Sequence, residues 1–317
     1  AKMEGTPITT TVFTDQAGRY FFPDMPDGKY RVWAQAVTYE AGRGEVELKA
    51  AQSQNFTLQP TKDFVRQLSG DEMLAALPEA TADDARLKTE WATVPSPAGS
   101  GSIRCYLARP ASAGMAPLPV VLVIHENRGL NPYIEDVARR LAAAGFLALA
   151  PDGLSPVGGY PGNDEEGKLL QDKLNPAQLQ TDMLNSAVFL KNHALSNGNL
   201  GVTGFCWGGG MTSEIAATMG EDVKAGAPYY GIAPAANKVG KIKAELILHF
   251  AENDPRINAS WPAFEANLKS LNAKFQGHFY PGTQHGFHNN STPRFQQTAA
   301  DLSWSRTLEL FQRTLKS

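Results

Sequence analysis

The sequence predicts an α/β protein: a doubly wound, mainly parallel sheet with helices on both faces, preceded by a small all-β sandwich-like domain. Three observations predict it. From residue 86 onward, short apolar runs suited to strands buried on both faces alternate with segments of helical periodicity. Before residue 60 the pattern is instead one of short alternating segments separated by turn residues. Finally, a glycine-flanked cysteine in "GFCWGGG" falls where a strand pattern passes into a helix pattern. At 317 residues, 42% hydrophobic and 9% aromatic, the chain can bury a sizeable core and divides into one large and one small domain.

In chain order, "TTTVFT", "GRYFFPDMPDGKYRVWAQA", "GEVELKA" and "SQNFTL" read as the strands of a β module over residues 1–60, with Pro26-Asp27-Gly28 supplying a turn. Residues 61–85 read as a linker. Within it Ser69 and Glu72 form a capping box for a short helix over 70–77, which Pro78 ends. Residues 86–317 form the α/β domain. Its strands are expected at "IRCYLARP", "PVVLVIHE", "FLALAPD", "LGVTGF", "AGAPYYG", "AELILHFA" and "FQGHFYP", and its helices at 134–144, 176–193, 208–219, 260–271 and 295–315. An insert, "LSPVGGYPGNDEEGKLLQDKL" (154–174), reads as a lid over the pocket.

Several function classes are disfavoured by composition. A net charge of −3 from 29 basic and 32 acidic residues, evenly mixed, provides no footprint for nucleic acid. The longest apolar runs fall far short of the about 18 residues that cross a bilayer, so no membrane insertion is expected. Two cysteines imply no disulfide framework. "HENRG" lacks the second histidine of a zinc helix and there is no Cys-x-x-Cys, so neither a metal nor a cofactor is expected. Asp164, Glu165 and Glu166 read as a solvated turn. The chain begins at Ala1 without an initiator methionine, as a processed precursor would. No motif speaks to oligomeric state.

The chemistry centres on Cys206. Glycines at 204 and 208 permit the tight strand-to-helix turn that lifts a nucleophile above a sheet, and a helix N-terminus favours the attacking thiolate. The N–H of Trp207 would supply half of an oxyanion hole. A small buried cysteine in a glycine-rich turn is the competing reading. Downstream, "AELILHFAENDPRI" ends a strand in a loop bearing Asp254, and "FQGHFYPGTQHGFH" ends the next in a loop bearing His285. The chain order nucleophile, acid, base is thereby satisfied. Asp254 would fix the tautomer of His285, leaving its other nitrogen for Cys206. His288 is the rival base; Gly286 favours His285. His125, His249 and His278 read as strand packing and His193 as a helix cap.

With these residues, "HENRGL", "LAPDGL", "GFCWGGG", "ENDPRI" and "YPGTQHGF" make residues 86–317 resemble the dienelactone hydrolase family, an α/β-hydrolase branch with cysteine as nucleophile. The resemblance implies that Cys206, Asp254 and His285 form the triad, that Glu126 accepts the resting thiol's hydrogen bond and helps generate the thiolate, and that Asn127 N–H is the second oxyanion donor. Dienelactone-cleaving members hold the substrate carboxylate with arginines, one of them four residues after the histidine. Here that position is Asn289, so dienelactone itself is not the expected substrate. Arg128 and Arg256 are candidate replacements or surface ion-pair residues, and Tyr160 is a candidate contact from the insert. Residues 14–34 resemble the carboxypeptidase regulatory-like, transthyretin-like β module, whose frequent use on exported proteins implies a periplasmic or secreted location. The expected activity is hydrolysis of small esters or lactones; a non-catalytic binding protein and an acyltransferase are the alternatives.

Overall fold

The computed structural model describes residues 2–3, 20, 22, 25–34, 42–49, 55–57 and 84–316. The chain divides into two compact units, Ala1–Leu74 and Ala75–Ser317. In the first, β1 (Lys2–Met3), β2 (Gly28–Ala34) and β3 (Gly42–Leu48) pair antiparallel in the order β1-β2-β3. Tyr30 and Val32, two residues apart and so on one strand face, pack against Phe22, Met25, Val46, Leu48 and Phe56. The Tyr30 hydroxyl donates to the Pro26 carbonyl (2.7 Å), holding the start of the Pro26-Asp27-Gly28 turn. The expected strand at 9–14, the capping box of Ser69 and Glu72 and the helix at 70–77 lie outside the described residues.

The second unit opens with the hairpin β4 (Leu87–Ser96) and β5 (Gly101–Pro110), followed by β6 (Leu118–Ile124), α1 (Pro132–Ala143), β7 (Leu147–Pro151), α2 (Asp164–Gln171) and α3 (Pro176–Lys191). Then come β8 (Ser196–Phe205), α4 (Trp207–Met219), β9 (Val223–Tyr229), α5 (Ala236–Val239), β10 (Glu245–Asn253), α6 (Pro255–Asn258), α7 (Trp261–Ser270), β11 (Phe275–Gln284) and α8 (Gln297–Leu315). The strand order is β11-β10-β9-β8-β6-β7-β5-β4. Strands β6 to β11 pair in parallel, whereas β4–β5 and β5–β7 are antiparallel. The mainly parallel α/β sheet is thus as expected. β4, which the apolar runs did not signal, is an edge strand with Trp91 exposed, and an edge strand needs no continuous apolar run.

Apolar runs were the right signal for the inner strands because both sheet faces are covered. Along β6, Val120, Leu122 and Ile124 join Leu179, Met183 and Leu190 of α3 and Met211 and Ile215 of α4 in one core. Val121 and Val123 face the other core, with Ile134, Val137 and Leu141 of α1 and Trp304, Leu308 and Phe311 of α8. Helix starts follow local chemistry: Asn131 and Asn175, each followed by proline, accept hydrogen bonds from first-turn N–H groups. β7 lies on one side of β6 and β8 on the other, so the loops after β6 and β8 diverge and leave a crevice at the carboxyl ends of the strands. Glu126 follows β6 and Cys206 follows β8.

The hairpin is tied to α3 by Asp182, which has no exposed surface and accepts from Ser96 Oγ (2.6 Å), Ser100 N (2.9 Å) and Ser100 Oγ (2.7 Å). Asp182→Ala would leave buried donors without an acceptor. A loss of about 3 kcal/mol is expected, read as a lower urea midpoint with an unchanged slope.

Candidate active site

Cys206 joins β8 to α4 with φ +57° and ψ −114°, a backbone conformation that a residue with a side chain keeps only where its surroundings impose it. The glycines around it explain how. A Cβ at Gly204 would lie 2.3 Å from Gly208 O, and one at Gly208 would lie 2.4 Å from Ile124 O. Only their absence lets β8, α4 and the end of β6 come this close. The sulfur is half-buried, whereas Cys105, the chain's other cysteine, is fully buried and its thiol is pushed up to about 12 by that burial.

Asp254 follows β10, is 5% exposed, and accepts from Ile257 N at the start of α6 (3.4 Å). Its Oδ2 lies 2.5 Å from Nδ1 of His285, which follows β11. That leaves the other ring nitrogen available to Cys206, which also acts on the imidazole. Burial opposes a charged imidazole here. The hydrogen bond to Asp254 and the proximity of Cys206 outweigh it and push His285 up to about 9.

Glu126 lies two residues beyond β6 and is 2% exposed. Burial pushes its carboxyl up, against Arg128, the Asn289 hydrogen bond and the charges of His285 and Arg294. Asn289 Nδ2 donates to Glu126 Oε2 (2.8 Å), and Arg128 Nε lies 3.6 Å from the same oxygen. Arg128 also interacts electrostatically with Cys206. Trp207 opens α4, so its N–H is one of the first helical donors that lack an intrahelical acceptor. Asn127 is half-buried, with its Oδ1 buried and unpartnered among the described residues.

The insert packs on the loop that carries Glu126. α2 begins at Asp164, which is not a solvated turn residue as the sequence suggested: its carboxylate accepts from Arg128 Nη1 (2.9 Å), Asn131 Nδ2 (3.2 Å) and Tyr160 Oη (2.9 Å). Glu165 and Glu166 are exposed. Gly167 sits so close to Arg128 that a Cβ would lie 2.3 Å from its carbonyl oxygen, and Gln171 Oε1 accepts from Gly129 N (3.3 Å). Tyr160 and Arg128 are therefore joined through Asp164. Arg256 is exposed on α6 and, among the described residues, is not joined to this cluster.

Sequence reasoning gave Asp164 to a solvated turn and passed over Asn289 as a partner of Glu126 and Arg294, whose guanidinium lies against Gly286. Their only sequence signal is a polar residue within an insert or loop. Of the other histidines, His288 is buried with Nδ1 2.7 Å from Tyr133 Oη. His249 lies between Tyr280 Oη and Thr307 Oγ1. His125 accepts from Gly153 N (3.0 Å) and stacks on Trp207. His193 does not cap its helix; its Nδ1 accepts from Leu195 N (3.1 Å). Among the described residues no cluster of three or more His, Cys, Asp or Glu could hold a metal ion.

A mainly parallel sheet flanked by helices, with a strained residue after the strand at its switch point, defines an α/β-hydrolase. Residues 103–315 match the dienelactone hydrolase family, and the chain belongs to it. It is a carboxylic ester hydrolase. A Synechocystis protein named "Putative carboxymethylenebutenolidase" is 30% identical over 73% of this chain and 98% of its own length. The Escherichia coli K12 protein "Putative hydrolase fragment YghX" is 59% identical over 29% of this chain and 79% of its own. The crystal structure of a "Putative Dienelactone Hydrolase" from Klebsiella pneumoniae superposes with a TM-score of 0.63 at 27% identity, covering 72% of this chain and 99% of that one.

The raised His285 has a consequence for stability. A histidine free of partners releases its proton near 6.5, whereas the folded chain holds this one to about 9. The proton held in the fold therefore stabilises it fully below pH 6.5, and the contribution is lost as pH rises through 9. The melting temperature of wild type should exceed that of His285→Gln most at pH 6, with the gap narrowing by pH 10.

Proposed function

We propose that this protein hydrolyses small carboxylic esters or lactones through a thioester on Cys206. The observation that carries the reading is the row of side chains Asp254, His285 and Cys206, with the last held in a strained turn at a helix N-terminus. In the first half-reaction the Cys206 sulfur bonds to the acyl carbon, and His285 passes the thiol proton to the departing alkoxide. In the second, water gives a proton to His285 and attacks the thioester, releasing the acid and restoring the thiol. Asp254 holds the ring in the tautomer that serves both halves.

The oxyanion formed in each half would be met by the N–H groups of Trp207 and Asn127. Glu126, buried in the same cluster, would take part in generating the thiolate. Arg128 and Tyr160 would border the acyl or alcohol group from the side of the insert, their positions set by Asp164. Arg256, exposed on α6, would reach a substrate only at the rim. For the N-terminal sheet we retain the carboxypeptidase regulatory-like reading, supported by the antiparallel pairing of β2 with β3 and the inward Tyr30. The division at 1–60, 61–85 and 86–317 and an exported location belong to the same reading.

Cys206→Ala should lower kcat/KM for p-nitrophenyl acetate by at least about 1000-fold while leaving the fold intact. Trapping wild type with ester at low pH should add the mass of one acyl group to the peptide bearing Cys206. Full activity in Cys206→Ala would end the proposal.

A further inference from the structure

Asn289 is fully buried, and both ends of its amide are committed. Its Oδ1 accepts from Ser291 N (2.9 Å) and Ser291 Oγ (2.6 Å). Two donors on that side fix the amide's orientation, because a flipped amide would set N–H against N–H. The Nδ2 end is thereby aimed at Glu126 Oε2, 2.8 Å away. The backbone is pinned as well. Asn289 N donates to Gly286 O (3.0 Å), closing the turn that follows His285. The preceding residue, His288, is bound to Tyr133 of α1 and packed against Phe205, Tyr229 and Trp304.

Glu126 has other charged and titratable neighbours, but none holds it in this way. Arg128 Nε is 3.6 Å from the carboxylate while its Nη1 is bound to Asp164. His285 and Arg294 act on Glu126 through their charge. Tyr133 of α1 and Tyr230, after β9, are buried phenols that also feel Glu126. A neutral amide donor favours the ionised carboxylate without neutralising it. It also joins the loop carrying His285 to the end of β6, which belong to different parts of the sheet.

We infer that Asn289, oriented by Ser291, is a positioning residue that holds the carboxyl of Glu126 in place in the site and favours its ionised form. The inference rests on the proposed role of Cys206 and Glu126. It assigns to a loop residue the job of setting the pH at which Glu126 can take the thiol's proton. Without the amide donor Glu126 keeps its proton to higher pH. A carboxylate in its place would share a proton with Glu126 and raise that pH further.

The test is alkylation of the native full chain by iodoacetamide between pH 5 and 10, followed by intact mass, alongside kcat/KM for p-nitrophenyl acetate and the melting temperature. Buried Cys105 does not compete for the reagent. Asn289→Ala should move the acidic limb of kcat/KM, where Glu126 must be ionised to take the thiol's proton, upward by about one unit, while the pH of half-maximal alkylation does not rise, because a carboxyl that keeps its proton sets no negative charge against the thiolate. Asn289→Asp should move the acidic limb of kcat/KM further, and the exposed change Ser291→Ala less, in the same direction. Ser291→Ala also reports if the two changes at 289 fail to fold. Limbs that coincide with wild type in the folded variants, whether or not the melting temperature falls, would overturn the inference. Cys206→Ala separates the two proposals: if it stays active, the nucleophile reading fails; if it is inactive while the limbs do not move, only the role of Asn289 fails.

Discussion

The site depends on one backbone constraint, the left-handed turn at Cys206. A residue with a Cβ does not choose φ +57° by itself. It is held there because β8 enters the turn hydrogen-bonded between β6 and β9, while α4 must leave it packed against the same strands. Gly204 and Gly208 remove the two side chains that would keep those segments apart. The strain is balanced by the core on both faces of the sheet, and the turn presents the sulfur where helix N–H groups point outward.

The second determinant is topology. A parallel sheet places every strand's carboxyl end on one edge, and reversal of strand order beside β6 opens a crevice there. Glu126, Cys206, Asp254 and His285 follow β6, β8, β10 and β11, so residues up to 159 positions apart meet at that edge. The insert adds a wall from outside the sheet. It is held by the Asp164 carboxylate, which receives a cation and two neutral donors.

Polar groups in this cluster are matched in an ordered way. Asp254 takes the imidazole, Asn289 takes Glu126, and Ser291 takes the far end of the Asn289 amide. These buried acceptors are each given a donor, as burial requires, whereas Asn127 Oδ1 has none among the described residues.

What was legible in the sequence was what local chemistry dictates. Runs such as "VVLVI" read as strands buried on both faces, helical periodicity marked the helices between them, and glycines at 204 and 208 marked the turn at Cys206. β4 was not legible, since a half-exposed edge strand lacks an apolar run. Asp164 read as solvated because nothing in "NDEEG" says that Arg128 will reach it. Asn289 read as a lost arginine, yet the fold gives it Glu126. By itself the sequence determined the layered α/β sheet and the order of its candidate reactive groups, because periodicity and turn chemistry act over a few residues. Only the tertiary structure decided which polar side chains meet, because those pairings join loops brought to one edge by sheet topology and leave no periodic trace in the chain.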